Sequence, residues 1–425
     1  MAVLLAATSS AVLESQDYKA NLPADHPAIR YPQARAADAV NALSAAIARG
    51  GERVRPGSLA HLQAVLERLR INADSQMLVF SKTSVQAARI SPERPRAIYF
   101  SDAVAVGYVP GSPSLEVAAI DPALGPVFYA VSVDPSGTPT LDRNQACLHC
   151  HIGPNTHGVP GLYVGSVIPG PTGLPLRGDS AMITDHRSPF AQRWGGWYVT
   201  ARRGEQPDRA NSVASNPADP ETLDRETQQN LPSLAGRVDL TDYPAATSDI
   251  VALMTFEHQT QAINLMTRVA WQARMWQASS NAAAGAGAPL EADIEELVKY
   301  LLFEGETPLP APIEGVSTFV STFAQRGRRD RRGRALRDFD LHKRLFRYPL
   351  SYTIDSAAFD ALPDVARSRI YRRLYEVLRG TDSSLQYRHL SIEDRRAVFE
   401  ILRDTKKDLP AYWRSASPAI GPPAK

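Results

Sequence analysis

A chain of 425 residues with only two cysteines cannot be held together by a disulfide framework. Both cysteines, Cys147 and Cys150, sit three positions apart in one short segment. They can form a local redox pair, supply half of a metal site, or anchor a covalent cofactor. Stability must come from apolar burial, and a composition of 44% apolar and 22% charged residues supplies enough for a large core. No apolar run approaches the roughly 18 to 20 residues of a membrane-spanning helix, so no transmembrane segment is expected. Lys and Arg number 47 against 45 Asp and Glu, which gives no global electrostatic case for nucleic acid as a partner.

Around the cysteines the chain reads Asn144-Gln145-Ala146-Cys147-Leu148-His149-Cys150-His151, a Cys-x-x-Cys-His pattern. Two thiols on one helical turn can reach the two vinyl groups of a porphyrin, and the following histidine is carried beneath the iron. In these residues the chain resembles the c-type cytochromes, with Cys147, Cys150 and His151 matching the motif one by one. The resemblance implies one covalent haem c with His151 as proximal ligand. It also implies a periplasmic or otherwise exported protein, because bacteria attach haem c outside the cytoplasmic membrane. The motif consumes every cysteine, as avoidance of stray thiols in an oxidising compartment would produce. A single motif sets the chain apart from di-haem peroxidases and oxygenases. The stretches 78–84, 95–100 and 184–189 are similar to uncharacterised bacterial haem-c proteins and bring no activity with them. Two alternatives stay open: a thioredoxin-like dithiol, and zinc held by Cys147, Cys150 and two of His149, His151 and His157.

A six-coordinate iron needs a second axial ligand, usually His or Met. One candidate group is Met182, His186 and Arg187 with Trp194 and Trp197, where arginine or indole N–H could meet a haem propionate. The plainer reading is a turn with His186 held by Asp185 and the tryptophans in a core. The second group lies on a predicted helix, where Met254, His258, Ala262 and Leu265 share a face beside Glu257. His258, His186 and Met182 are the sixth-ligand candidates. If the iron is open instead, His186, Arg187 and Glu257 are the distal acid–base candidates. His26, His61, His342 and His389 sit in polar sequence and carry no signal.

The fold expected is α+β. Residues 1–35 read as an N-terminal tail, with 1–7 the remnant of an export signal. Residues 36–205 form an α+β haem-c-binding region, with helical patterns over 36–69 and strands over 77–80, 97–100, 103–109, 115–120 and 127–133 as an antiparallel sheet. A further strand is expected over 162–168. Residues 206–247 read as a loop region. A helical region over 248–410 contains helices at 248–278, 290–303, 366–379 and 392–406, with a flexible connection over 281–288, and 411–425 is a tail. From Arg326 to Arg347 ten basic residues outnumber three acids, a stripe able to dock an acidic redox partner protein. The functional expectation is one-electron transfer by an exported mono-haem cytochrome. Its rival is a haem-dependent oxidoreductase, peroxidase- or oxygenase-like, with an open or displaceable distal site.

Overall fold

The computed structural model describes residues 19–41, 57–133, 139–176, 181–204, 206–216, 219–223, 230–279, 287–382 and 384–415. The expected strands form: β1 (Met77–Val79), β2 (Arg96–Phe100), β3 (Val104–Tyr108), β4 (Ser114–Asp121) and β5 (Gly125–Val133). They continue into β6 (Pro139–Arg143), a strand the sequence did not announce. With β9 (Trp197–Tyr198) they make a seven-stranded antiparallel sheet in the order β6-β5-β4-β3-β2-β1-β9. A separate hairpin pairs β7 (Val164–Ser166) with β8 (Met182–Thr184).

Side chains alternate across the sheet with period two. Met77, Val79, Ile98, Phe100 and Ile120 enter one core, while Leu78, Ala97, Tyr99, Val106, Val117 and Val131 enter the other. Both faces are therefore covered. The second face is capped by α1 (Leu59–Arg68) and by residues 22–31, and the first by the helical half of the chain.

The central element of that half is α3 (Ile250–Ala278), which follows the short α2 (Leu148–His151) of the cysteine motif. Asp249 caps α3 by accepting from the backbone of Val251 and Ala252. Every residue from Ile250 to Trp271 is buried, so this stretch of the helix has no solvent face. Around it pack α4 (Ala288–Leu301), α5 (Phe319–Gln325), α6 (Asp364–Arg379) and α7 (Ile392–Thr405). Ser391 accepts from Asp394 N at the head of α7, and Ser391→Ala is expected to lower unfolding stability by about 1 kcal/mol in urea titration.

Four expectations change. Residues 19–35 are not a loose tail, because Leu22, Ile29 and Tyr31 are buried and the Tyr31 ring packs on Trp271 at 5.8 Å. Trp413 in the expected C-terminal tail is buried and stacked on Phe399. The division at 247/248 does not separate cores, since one cluster mixes sheet residues with α3 and the C-terminal helices. His61 is buried rather than polar in its surroundings, and burial pushes its imidazole pKa down. The expected export remnant at 1–7, the connection over 281–286 and residues 416–425 lie outside the described residues. No helix among those described is long and apolar enough to cross a membrane.

Candidate cofactor-attachment site

Strand β6 delivers the chain to the motif. Arg143 at its end donates to the carbonyls of Ala34 (2.7 Å) and Tyr31 (2.6 Å), which fixes where the strand stops. Asn144 then caps a single 3-10 turn, Gln145–Cys147, which runs straight into α2. Cys147 and Cys150 are one helical turn apart, the first half-buried and the second exposed.

His151 is held in a specific orientation. Its Nδ1 lies 2.9 Å from the carbonyl oxygen of Gly161. A carbonyl only accepts, so the proton sits on Nδ1 and the lone pair is left on Nε2. Among the described residues Nε2 has no hydrogen-bond partner. The ring packs against Phe128 (4.8 Å) and Tyr163 (5.5 Å). Burial pushes its pKa down, which keeps the imidazole neutral at pH 7.

The Gly161 carbonyl is itself positioned. Its N–H donates to the carbonyl of His151 (2.9 Å), closing the loop 152–161 together with the Ile152–Pro160 bridge. The next residue, Leu162, is clamped by Asn264, whose Nδ2 donates to Leu162 O (2.7 Å) and whose Oδ1 accepts from Leu162 N (3.1 Å). A Cβ on Gly161 would stand 2.3 Å from Asn264 Oδ1, so only glycine allows this approach. Two more residues of α3 act on the loop. Gln261 Oε1 meets His157 Nε2 (3.1 Å), and Arg268 donates to His157 O (2.7 Å). Positions 261, 264 and 268 share one helix face.

On the sheet side, Arg96 of β2 pairs with Glu116 of β4 at 2.5 Å, above the bare backbone of Gly107. Both charges act on His151 and Cys147. Burial, aided by the Glu116 carboxylate, pushes the Cys147 thiol up. An attacking cysteine of a redox dithiol is shifted the other way. His149 bonds Ala146 O and is exposed, and His157 is taken by Gln261. Among the described residues no three of His, Cys, Asp and Glu stand together to hold a metal ion.

The remaining candidates meet each other, in one buried cluster. His186 and His258 face each other Nδ1 to Nδ1 at 2.9 Å, so one is a donor and the other an acceptor. His258 Nε2 meets Ser351 Oγ at 2.6 Å, and its ring stacks on Phe303 and Tyr300. Glu257 accepts from Thr184 Oγ1 (2.6 Å) and Trp194 Nε1 (3.0 Å), with Arg193 at 3.6 Å. Burial raises its pKa to about 7. Arg187 is ion-paired with Asp185 and Glu296, and Trp197 Nε1 donates to Gly165 O. The polar groups offered for propionates at Arg187, Trp194 and Trp197 are thus already committed within the protein, and both tryptophans are core residues. Met182 is exposed on β8, opposite Ser166. The ring contacts and hydrogen bonds of the histidine pair share no residue with those of His151.

The basic stripe is largely neutralised from outside its own segment. Arg326 and Arg337 pair with Asp102, Arg328 with Asp355, Arg331 with Asp404, Arg332 and Arg334 with Glu400, and Arg344 with Asp394. Its excess charge is therefore local to the sequence and not to the surface. Phe128, Tyr163, Gly161, Asn264, Arg96 and Glu116 went unnoticed in the sequence. Asn264 lies 102 residues from Leu162, and no short pattern links them. Set against family models, curated proteins and solved structures, the chain matches none.

Proposed function

We propose that this chain carries one haem c, bonded through Cys147 and Cys150 with His151 as proximal ligand, and that it transfers single electrons. The observation that carries the reading is His151, whose Nδ1–H is spent on Gly161 O while Nε2 keeps a free lone pair. A metal-bound histidine is oriented in this way, its second nitrogen donating to a carbonyl. The residues present fit the group: two thiols on one accessible turn, a neutral imidazole beside them, and the aromatic rings of Phe128 and Tyr163 packed against it. When bound, the haem supplies a reversible one-electron couple. The protein's share is to fix the imidazole through Gly161 and Asn264, and to set the local charge with the Arg96–Glu116 pair. The reading carries with it export across the cytoplasmic membrane and a redox partner protein, which would approach the exposed edge of the motif at Cys150.

A second reading is favoured by one observation, that neither His258 nor His186 shares a contact with His151. An iron without a protein ligand on its far side would make the chain a haem-dependent oxidoreductase of peroxidase- or oxygenase-like type.

Protein produced in a host with haem-c maturation machinery is expected to be coloured and to keep its pigment in acidified acetone. Cys147→Ser with Cys150→Ser should abolish covalent pigment while leaving the far-UV circular dichroism unchanged. Colourless wild-type material, or pigment wholly extracted by acid acetone, overturns both readings. Carbon monoxide separates them, because a carrier with both axial positions filled leaves its spectrum unmoved and an open site shifts at once.

A further inference from the structure

Strand β2 places Arg96 near the motif at one end and leads at the other to the Asp102–Ala103 turn. Beside that turn lies a cavity of about 240 Å³, room for about eight waters at ~30 Å³ each. Ile120, Ile263 and Ala358 give it an apolar wall. Two polar groups in its lining are unmet. Arg337 is 8% exposed, with its guanidinium 4.5 Å from the Phe323 ring centre and 4.4 Å from that of Tyr352. Its Nη2 is held by Asp102, but Nη1 is buried without an acceptor. Across the lining, Asp355 Oδ1 is buried and accepts no hydrogen bond, with Arg328 Nη1 3.6 Å away.

A buried donor atom and a buried acceptor atom without a hydrogen bond are both costly, and native proteins keep few of them. The ion-paired groups around the cavity count Arg326, Arg328, Arg337 and Lys406 against Asp102, Asp355, Asp360 and Asp408, so the pairs balance, and Arg337 Nη1 is left as a cationic donor without an acceptor. A charged donor of this kind is met best by a carboxylate. The apolar wall asks for a short hydrocarbon, and the orphan acceptor asks for a hydroxyl.

We propose that this cavity binds a short-chain hydroxy acid, its carboxylate accepting from Arg337 Nη1, its hydroxyl donating to Asp355 Oδ1, and its carbons on Ile120, Ile263 and Ala358. The site stands apart from the cysteine motif and does not depend on the haem reading.

Isothermal titration of the full chain with 3-hydroxybutyrate is expected to give saturable one-to-one binding. Butyrate should bind at least about tenfold more weakly, because Asp355 stays unmet, as should 1,3-butanediol, which offers Arg337 no charge. Arg337→Gln should weaken binding by a similar factor. Ala358→Leu fills the cavity without touching either charged group and should abolish binding at an unchanged unfolding midpoint. No saturable heat at millimolar 3-hydroxybutyrate overturns the proposal, and so does binding that survives Ala358→Leu undiminished. Equal affinity for butyrate removes the hydroxyl assignment to Asp355.

Discussion

Asn264→Leu is expected to lower unfolding stability by about 2–4 kcal/mol, read as a fall in the urea midpoint at constant slope. The substitution preserves side-chain volume but deletes both bonds to Leu162, leaving a backbone donor and acceptor unmet in a half-buried segment. The effect should reach further than stability. Leu162 anchors the Gly161 carbonyl, and that carbonyl orients His151. In pigmented protein the reduction potential should therefore move in Asn264→Leu, a change that loss of packing elsewhere would not produce. Asn264→Asp, which keeps the acceptor and loses the donor, should fall between. A variant within about 0.5 kcal/mol of wild type with an unchanged potential would show that the clamp does not act on His151.

The second large effect is acid destabilisation. Burial pushes five imidazoles below their ordinary value near 6.5: His258 to about 3, His157 to about 4, and His186, His151 and His61 in the same direction. In this range the unfolded chain takes up protons that the folded chain refuses, so stability is complete above pH 6.5 and is lost as pH falls. Each histidine contributes about 1.4 kcal/mol per pH unit. Glu257 and Glu306 act oppositely, since burial raises both to about 7. Folded, they hold a proton that the unfolded chain releases above about 4.5, so their contribution is full below that pH and disappears as pH rises through 7. Five losses outweigh two gains. Unfolding stability, read from urea titration, should fall from pH 6.5 to 4.5 and more steeply below, where the carboxyl gains have ended. Glu257→Gln removes one opposing contribution and should steepen the fall above pH 4.5. Stability that is flat or rising from pH 6.5 to 4.5 would contradict the buried, neutral state of these imidazoles.

The strands were legible because 77–80, 97–100, 103–109, 115–120 and 127–133 are short β-branched or aromatic runs divided by turn residues, as a sheet buried on both faces requires. The long helix over 250–278 was legible by its length and lack of Gly and Pro. Its role was not. Its polar residues look like a solvent face in sequence, yet Gln261, Asn264 and Arg268 point into the protein and meet groups more than a hundred positions away. Pattern reading sees a residue's neighbours in the chain, and these partners are set only by tertiary contact. The same limit explains the basic stripe, whose counterions come from 102, 355, 394, 400 and 404. It explains His186 and His258 as well, which were placed in separate groups although they are each other's partner. The motif at 147–151 was legible because its chemistry is confined to five consecutive residues.

Arg268 joins three distant stretches at one point: it donates to Ala20 O and His157 O and pairs with Asp293, which also holds Lys19. The segment after the cysteines consequently cannot fray by itself, because opening it severs ties to the start of the described chain and to α4 together. Whatever sits against His151 is thereby bounded by a cooperative unit, and its solvent access is governed by rare, large openings instead of frequent small ones.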